Sequence, residues 1–132
     1  MAAPDDWLYE YAVVRFVPRP ERGEFLNIGL VMMCKRRKWL KGMVMLDEER
    51  ILQLFPGADL ETLRRQSALF EKKDVPQPDL PVEEKYRWLT AVKSASLRVS
   101  PSHPGIVCHP DESSWERSLQ SEFERLFAEL VM

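Results

Sequence analysis

Glycine is scarce in this 132-residue chain, and its five glycines stand at 23, 29, 42, 57 and 105. No two lie within five residues of each other, so neither a P-loop nor a dinucleotide fingerprint can be built. Histidine and cysteine are scarcer still: His103, His109, Cys34 and Cys108 are all there are. Two cysteines cannot make a disulfide framework, which fits a reducing compartment. Neither histidine sits in a His-Glu-x-x-His pattern, and the four residues would share a metal only by a tertiary coincidence. The expectation is a buried Cys34, loop histidines, and no metal or cofactor. Ser100, Ser102 and His103 are close in sequence, but no nucleophile elbow surrounds them. The carboxylates Asp47, Glu48, Glu49, Glu83 and Glu84 open predicted helices, where the helix dipole favours them without any catalytic role. No apolar run approaches the roughly 18–20 residues of a membrane helix. The opening Met1-Ala2-Ala3-Pro4-Asp5-Asp6 has neither the basic start nor the apolar middle of a secretory signal. A cytoplasmic protein without a membrane segment is expected.

An excess of one charge is missing as well: 19 basic residues face 21 acidic ones, for a net charge of −2. That excludes the uniformly basic face of a dedicated nucleic-acid binder. The balance is local, however, with eight basic and five acidic side chains in residues 1–45 against 11 and 16 in residues 46–132. Lys35, Arg36, Arg37 and Lys38 are consecutive and precede Trp39. Such a cluster suits a phosphate backbone and a stacked base. It equally suits a solvated hairpin tip whose charges discourage edge aggregation.

What is present is ordinary globular material, 45% hydrophobic and 30% charged, in a length that suits one domain over residues 1–132. Residues 9–18 are rich in β-branched and aromatic types and end at a proline, so they predict a strand. Residues 19–23 form a turn, residues 24–34 a second strand, and residues 39–46 a third, giving an antiparallel meander. Asp47 then caps a short helix through Phe55, stopped by Pro56-Gly57, and Asp59 caps another to about Lys73. Residues 74–81 hold three prolines and connect to a helix in which Val82, Tyr86, Leu89 and Val92 share a face, ending near Ala95. Short β-like pieces at 97–100 and 105–109 form a small ribbon or extend the sheet. Ser113 and Glu116 have the spacing of a capping box before the stripe Trp115, Leu119, Phe123, Leu126, Phe127 and Leu130. The fold class predicted is α+β: a three-stranded meander, extended or not by the short C-terminal strands, covered by about four helices.

One strand breaks the local rules. Asn27 and Gly29 interrupt the apolar run from Phe25 to Met33, although both types are depleted in strands. By the period of two they share a face and form a polar notch, with the glycine giving a ligand room. Arg15 is equally odd between Val13, Val14, Phe16 and Val17, since a buried guanidinium left unpaired costs several kcal/mol, of order 3–5. Glu24, across the turn, is the nearest carboxylate. A one-residue change of register decides whether Arg15 faces Asn27 or Glu24. The candidate partner- or ligand-binding residues are therefore Arg15, Glu24, Asn27, Gly29 and Arg98. They either fix hairpin register or present a notch to an anionic or peptide ligand. No catalytic residue is proposed; a small enzyme acting on an anion through Arg15, Glu24 and Arg98 is the remaining variant.

These residues carry a resemblance. Tyr11-Ala-Val-Val-Arg15, Pro18, Gly23-Glu24-Phe25 and Asn27-Ile-Gly29-Leu-Val31 resemble the opening signature of a family of small bacterial proteins, domain of unknown function 3037. Arg98, Leu126-Phe127 and Val131 resemble its later pattern. The resemblance implies a bacterial cytoplasmic protein without an established activity, and a HipA-like kinase as a partner through gene neighbourhood. It carries over no catalytic residue. Together with the residues, it leads to a non-enzymatic binding or accessory module for a protein partner. A nucleic-acid or nucleotide-binding or -processing protein, including a nuclease-like enzyme, acting through Lys35, Arg36, Arg37, Lys38 and Trp39 is the alternative.

Overall fold

A computed structural model describes residues 7–72, 79–91, 96–107 and 113–132. Its meander consists of β1 (Trp7–Phe16), β2 (Leu26–Cys34) and β3 (Trp39–Val44), paired antiparallel in chain order. The first strand begins and ends two residues before the predicted 9–18. After the meander come α1 (Glu48–Leu54), α2 (Leu60–Lys72) and α3 (Val82–Leu89), then β4 (Leu97–Val99), β5 (His103–Val107) and α4 (Trp115–Leu130). The late strands do not form a ribbon with each other. Both pair antiparallel with β1 on its side away from β2, β4 beside residues 14–16 and β5 beside residues 7–11. The result is a five-stranded antiparallel sheet with four helices among the described residues, an α+β fold.

The join between β4 and β5 is held by a side chain. Ser100, buried, receives the Val13 amide on its Oγ at 2.9 Å, while its own amide donates to the Val13 carbonyl at 2.9 Å. The hydroxyl thus replaces a ladder carbonyl where the edge changes strand, and the buried backbone stays satisfied.

Helices cover both faces, which explains why β2 is buried without alternation from Ile28 to Cys34. On one face α4 packs Leu119, Phe123, Leu126 and Phe127 onto Trp7, Tyr9, Val13, Leu30, Met32 and Cys34. On the other, Ile51, Leu63, Phe70, Tyr86 and Leu89 from α1, α2 and α3 pack onto Val14, Phe16, Val31 and Met33. Each large apolar side chain buried this way contributes about 1.5–3 kcal/mol of transfer free energy. The approach of α2 to β3 is closest at Gly42, where a Cβ would lie 2.2 Å from the Phe70 carbonyl oxygen.

The predicted caps are partly present. The Arg50 amide donates to Asp47 Oδ1 and the Thr62 amide to Asp59 Oδ1, each at 3.1 Å. The capping box at α4 is not formed: Ser114, not Ser113, is the N-cap, and its side chain makes no capping hydrogen bond. With the cap one residue later, Glu116 falls at the second helical position, one short of where it could return to the cap amide. The α3 helix ends at Leu89, and Val92 to Ala95 lie outside the described residues.

Candidate functional site

The rule-breaking strand contains a β-bulge. Val14 stands opposite Gly29 but Arg15 stands opposite Asn27, so Ile28 is the extra residue. A bulge resets the alternation of side chains. Asn27 therefore faces α4, whereas Gly29 faces the α1–α3 side with Val14, Val31 and Met33. This corrects the shared polar notch: the two residues lie on opposite faces. Gly29 leaves no room for a ligand either, because a Cβ there would meet the Met43 carbonyl oxygen at 2.7 Å and Val44 Cγ2 at 2.9 Å. Its small size is used to seat β3.

The register settles the position of Arg15. It shares its face with Asn27, and its other neighbour, on β4, is Arg98. Asn27, Arg15 and Arg98 form one row across three strands, near the end of α4. Asn27 ties that helix down: its Nδ2 donates to the Leu130 carbonyl at 2.9 Å, one of the last-turn carbonyls that a helix cannot satisfy internally. Its Oδ1 and the Nε of Arg15 are buried without a hydrogen-bond partner. The expected Arg15–Glu24 ion pair is absent. Glu24 pairs with Arg22 at 3.0 Å and lines a cavity on the other face with Phe16 and Leu63. The anionic-substrate triad of Arg15, Glu24 and Arg98 is thereby split.

Arg15 instead lays its guanidinium 4.3 Å above the ring of Phe25, which is 49% exposed. No carboxylate pairs with this half-buried cation among the described residues. Beside it, Phe25, Asn27, Leu130 and Arg50 line a cleft of about 230 Å³. Arg98 is exposed on the adjoining strand. A guanidinium stacked on an aromatic ring is partly desolvated, which strengthens its attraction for an anion. The patch is thus set up to accept an anion beside an apolar group. Phe25 and Arg50 went unsingled at the sequence level; Phe25 stood at the head of the odd strand, but only the packing of α1 brings Arg50 here.

The basic tip follows a different course. Arg37 lies 4.5 Å over Trp7 and 5.4 Å from Trp115, and Trp39 meets Phe123 edge-on at 6.4 Å. Lys41, next in the hairpin, donates to Gln120 Oε1 at 2.8 Å. These contacts bind the second hairpin to α4 and use the tryptophan that a stacked base would need. Lys35, Arg36 and Lys38 stay exposed.

Two hydroxyls are electrostatically unusual. Burial, reinforced by Glu122, pushes Tyr9 up to about 12. Burial also raises Tyr86 to about 12, against the opposing effect of the hydrogen bond it shares with Ser102 at 2.8 Å. Both stay protonated and are poor acid–base groups near neutrality. Cys34 is buried, Cys108 and His109 lie outside the described residues, and no three His, Cys, Asp or Glu converge on a metal position among the described ones. No helix among the described residues is long and apolar enough to cross a membrane.

The family model described as protein of unknown function DUF3037 matches residues 11–131. The chain belongs to this family. The match takes in β1 from Tyr11, both early hairpins and all of α4, so the bulge and the arginine row fall inside the DUF3037 region. No curated protein and no solved structure matches the chain.

Proposed function

We propose that this DUF3037 protein is a non-enzymatic binding module that engages a protein partner through the patch around Arg15, Arg50, Arg98 and Phe25. The partner presents an acidic side chain flanked by an apolar one, the carboxylate meeting the guanidinium groups and the apolar group meeting Phe25 and the adjoining cleft. The observation that carries this reading is the half-buried Arg15 guanidinium, stacked on an exposed ring and paired with no carboxylate among the described residues. Guanidinium groups recognise carboxylates in a fixed, bidentate geometry, so such a cation supplies specificity as well as charge. In the bacterial cytoplasm that the family resemblance implies, a HipA-like kinase is the first protein to test.

The experiment titrates the folded chain with short acidic peptides that carry one phenylalanine or leucine, and with a purified HipA-like kinase, comparing wild type with Arg15→Gln. Removing a charge-assisted bond of this kind costs about 1.5–3 kcal/mol, so binding should weaken at least tenfold. Equal binding by wild type and Arg15→Gln, with equal thermal stability, sinks the proposal. DNA or RNA binding that survives Arg15→Gln, disappears in a Lys35→Ala, Lys38→Ala double variant and falls with salt would replace it by the nucleic-acid reading.

A further inference from the structure

On the opposite face from that patch, the first turn and the α1–α2 corner enclose a cavity of about 500 Å³. Its base is apolar, with Phe16, Phe55 and Leu63, and the two rings meet edge-on at 5.8 Å. Four charged side chains line it: Arg19, Arg22, Glu24 and Asp59. Three of them are already engaged. Arg22 and Glu24 neutralise each other at 3.0 Å. Asp59 accepts the Thr62 amide at 3.1 Å and the Thr62 hydroxyl at 2.7 Å while it caps α2. Those hydrogen bonds hold its carboxyl below the ordinary carboxylate range, so it is ionised and its oxygens are committed to the helix end. Arg19 remains, exposed and without an ion pair among the described residues.

We infer that this cavity is a binding site for a small molecule with a flat apolar body and a single carboxylate- or sulfonate-type anion, the body lying on Phe16 and Phe55 and the anion on Arg19. The volume falls within the range of about 300–1,000 Å³ that small-ligand pockets occupy, and an apolar floor with one convergent charge is their usual chemistry. The site is separate from the partner patch, since its floor belongs to the α1–α3 core and Arg15 lies on the α4 side. Neither proposal depends on the other.

Three naphthalene probes test it: anilinonaphthalene sulfonate, neutral phenylnaphthylamine, and a naphthylmethylammonium cation. The anionic probe binds the native chain one to one and at least tenfold more tightly than the cation, a gap of about 1.4 kcal/mol. Arg19→Glu weakens the anionic probe about tenfold and leaves the neutral one within about twofold. Gly57→Phe blocks both, because a Cβ at Gly57 meets nothing within 4 Å and its side chain can grow into the cavity without displacing backbone. Amide shifts on addition of the anionic probe concentrate at Arg19, Arg22, Gly57 and Ala58, a readout that stands even if Gly57→Phe does not fold. Shifts elsewhere, tighter binding of the cation, or an anionic affinity untouched by Arg19→Glu would each overturn the inference.

Discussion

Three glycines on this scaffold differ only in what a methyl group would strike, which makes their alanine variants a graded test of the packing. At Gly42 the new Cβ would sit 2.2 Å from the Phe70 carbonyl oxygen and 3.1 Å from its carbon. Ordinary contacts begin near 3.4 Å, so the overlap exceeds 1 Å, and both partners are backbone. Relief requires α2 to move off β3 by about that distance, opening the packing of Phe70, which is fully buried. Overpacking typically costs 1–3 kcal/mol; with no flexible side chain to absorb it, Gly42→Ala should lose about 3 kcal/mol or more. That is a large part of a total stability of roughly 5–15 kcal/mol. At Gly29 the clash is with the Met43 carbonyl at 2.7 Å and with a valine methyl that can shift, so a loss of about 1–2 kcal/mol is expected. At Gly57 nothing lies within 4 Å, and alanine should be neutral or stabilising by up to about 1 kcal/mol through the unfolded chain. Urea unfolding followed by tryptophan fluorescence, with slopes that match wild type, reads the three values. A Gly42→Ala protein as stable as Gly57→Ala would refute the seating of α2 on β3.

Alkaline pH supplies a second check. Tyr9 and Tyr86 titrate near 12 in the folded chain against 10.0 ordinarily, so between those values the folded state keeps protons that the unfolded state has released. Their contribution to stability is complete below pH 10 and is lost as pH rises towards 12; tyrosinate absorbance rising with an ordinary midpoint for all three tyrosines of the folded chain would contradict it. At the basic tip, Arg37→Ala should cost about 1–2 kcal/mol through its contacts with Trp7 and Trp115 and alter tryptophan emission, whereas a solvated tip residue would change neither.

The meander, the helices after it and the apolar stripe of α4 were legible in the chain because each rests on local information: periodicity, proline and glycine stops, and aspartate caps. The oddity of Arg15, Asn27 and Gly29 was legible for the same reason, since charged, amide and glycine residues stand out in an apolar strand. Their arrangement was not. A single extra residue at Ile28 turned Asn27 towards α4 and left Gly29 facing β3's side of the other core, and no composition or spacing marks which residue a bulge will absorb. Arg98 joined the row because β4 pairs with β1 from more than 80 positions away, a register set by long-range hydrogen bonds and burial rather than by neighbours in sequence. Glu24 went to Arg22 because a partner two residues away is reached at less entropic cost than one across the turn. By itself the sequence determined which segments become strands and helices and which residues are costly to place. Tertiary structure alone decided which of those residues meet, because strand pairing and helix docking are chosen by the burial of whole faces, to which no single segment holds the answer.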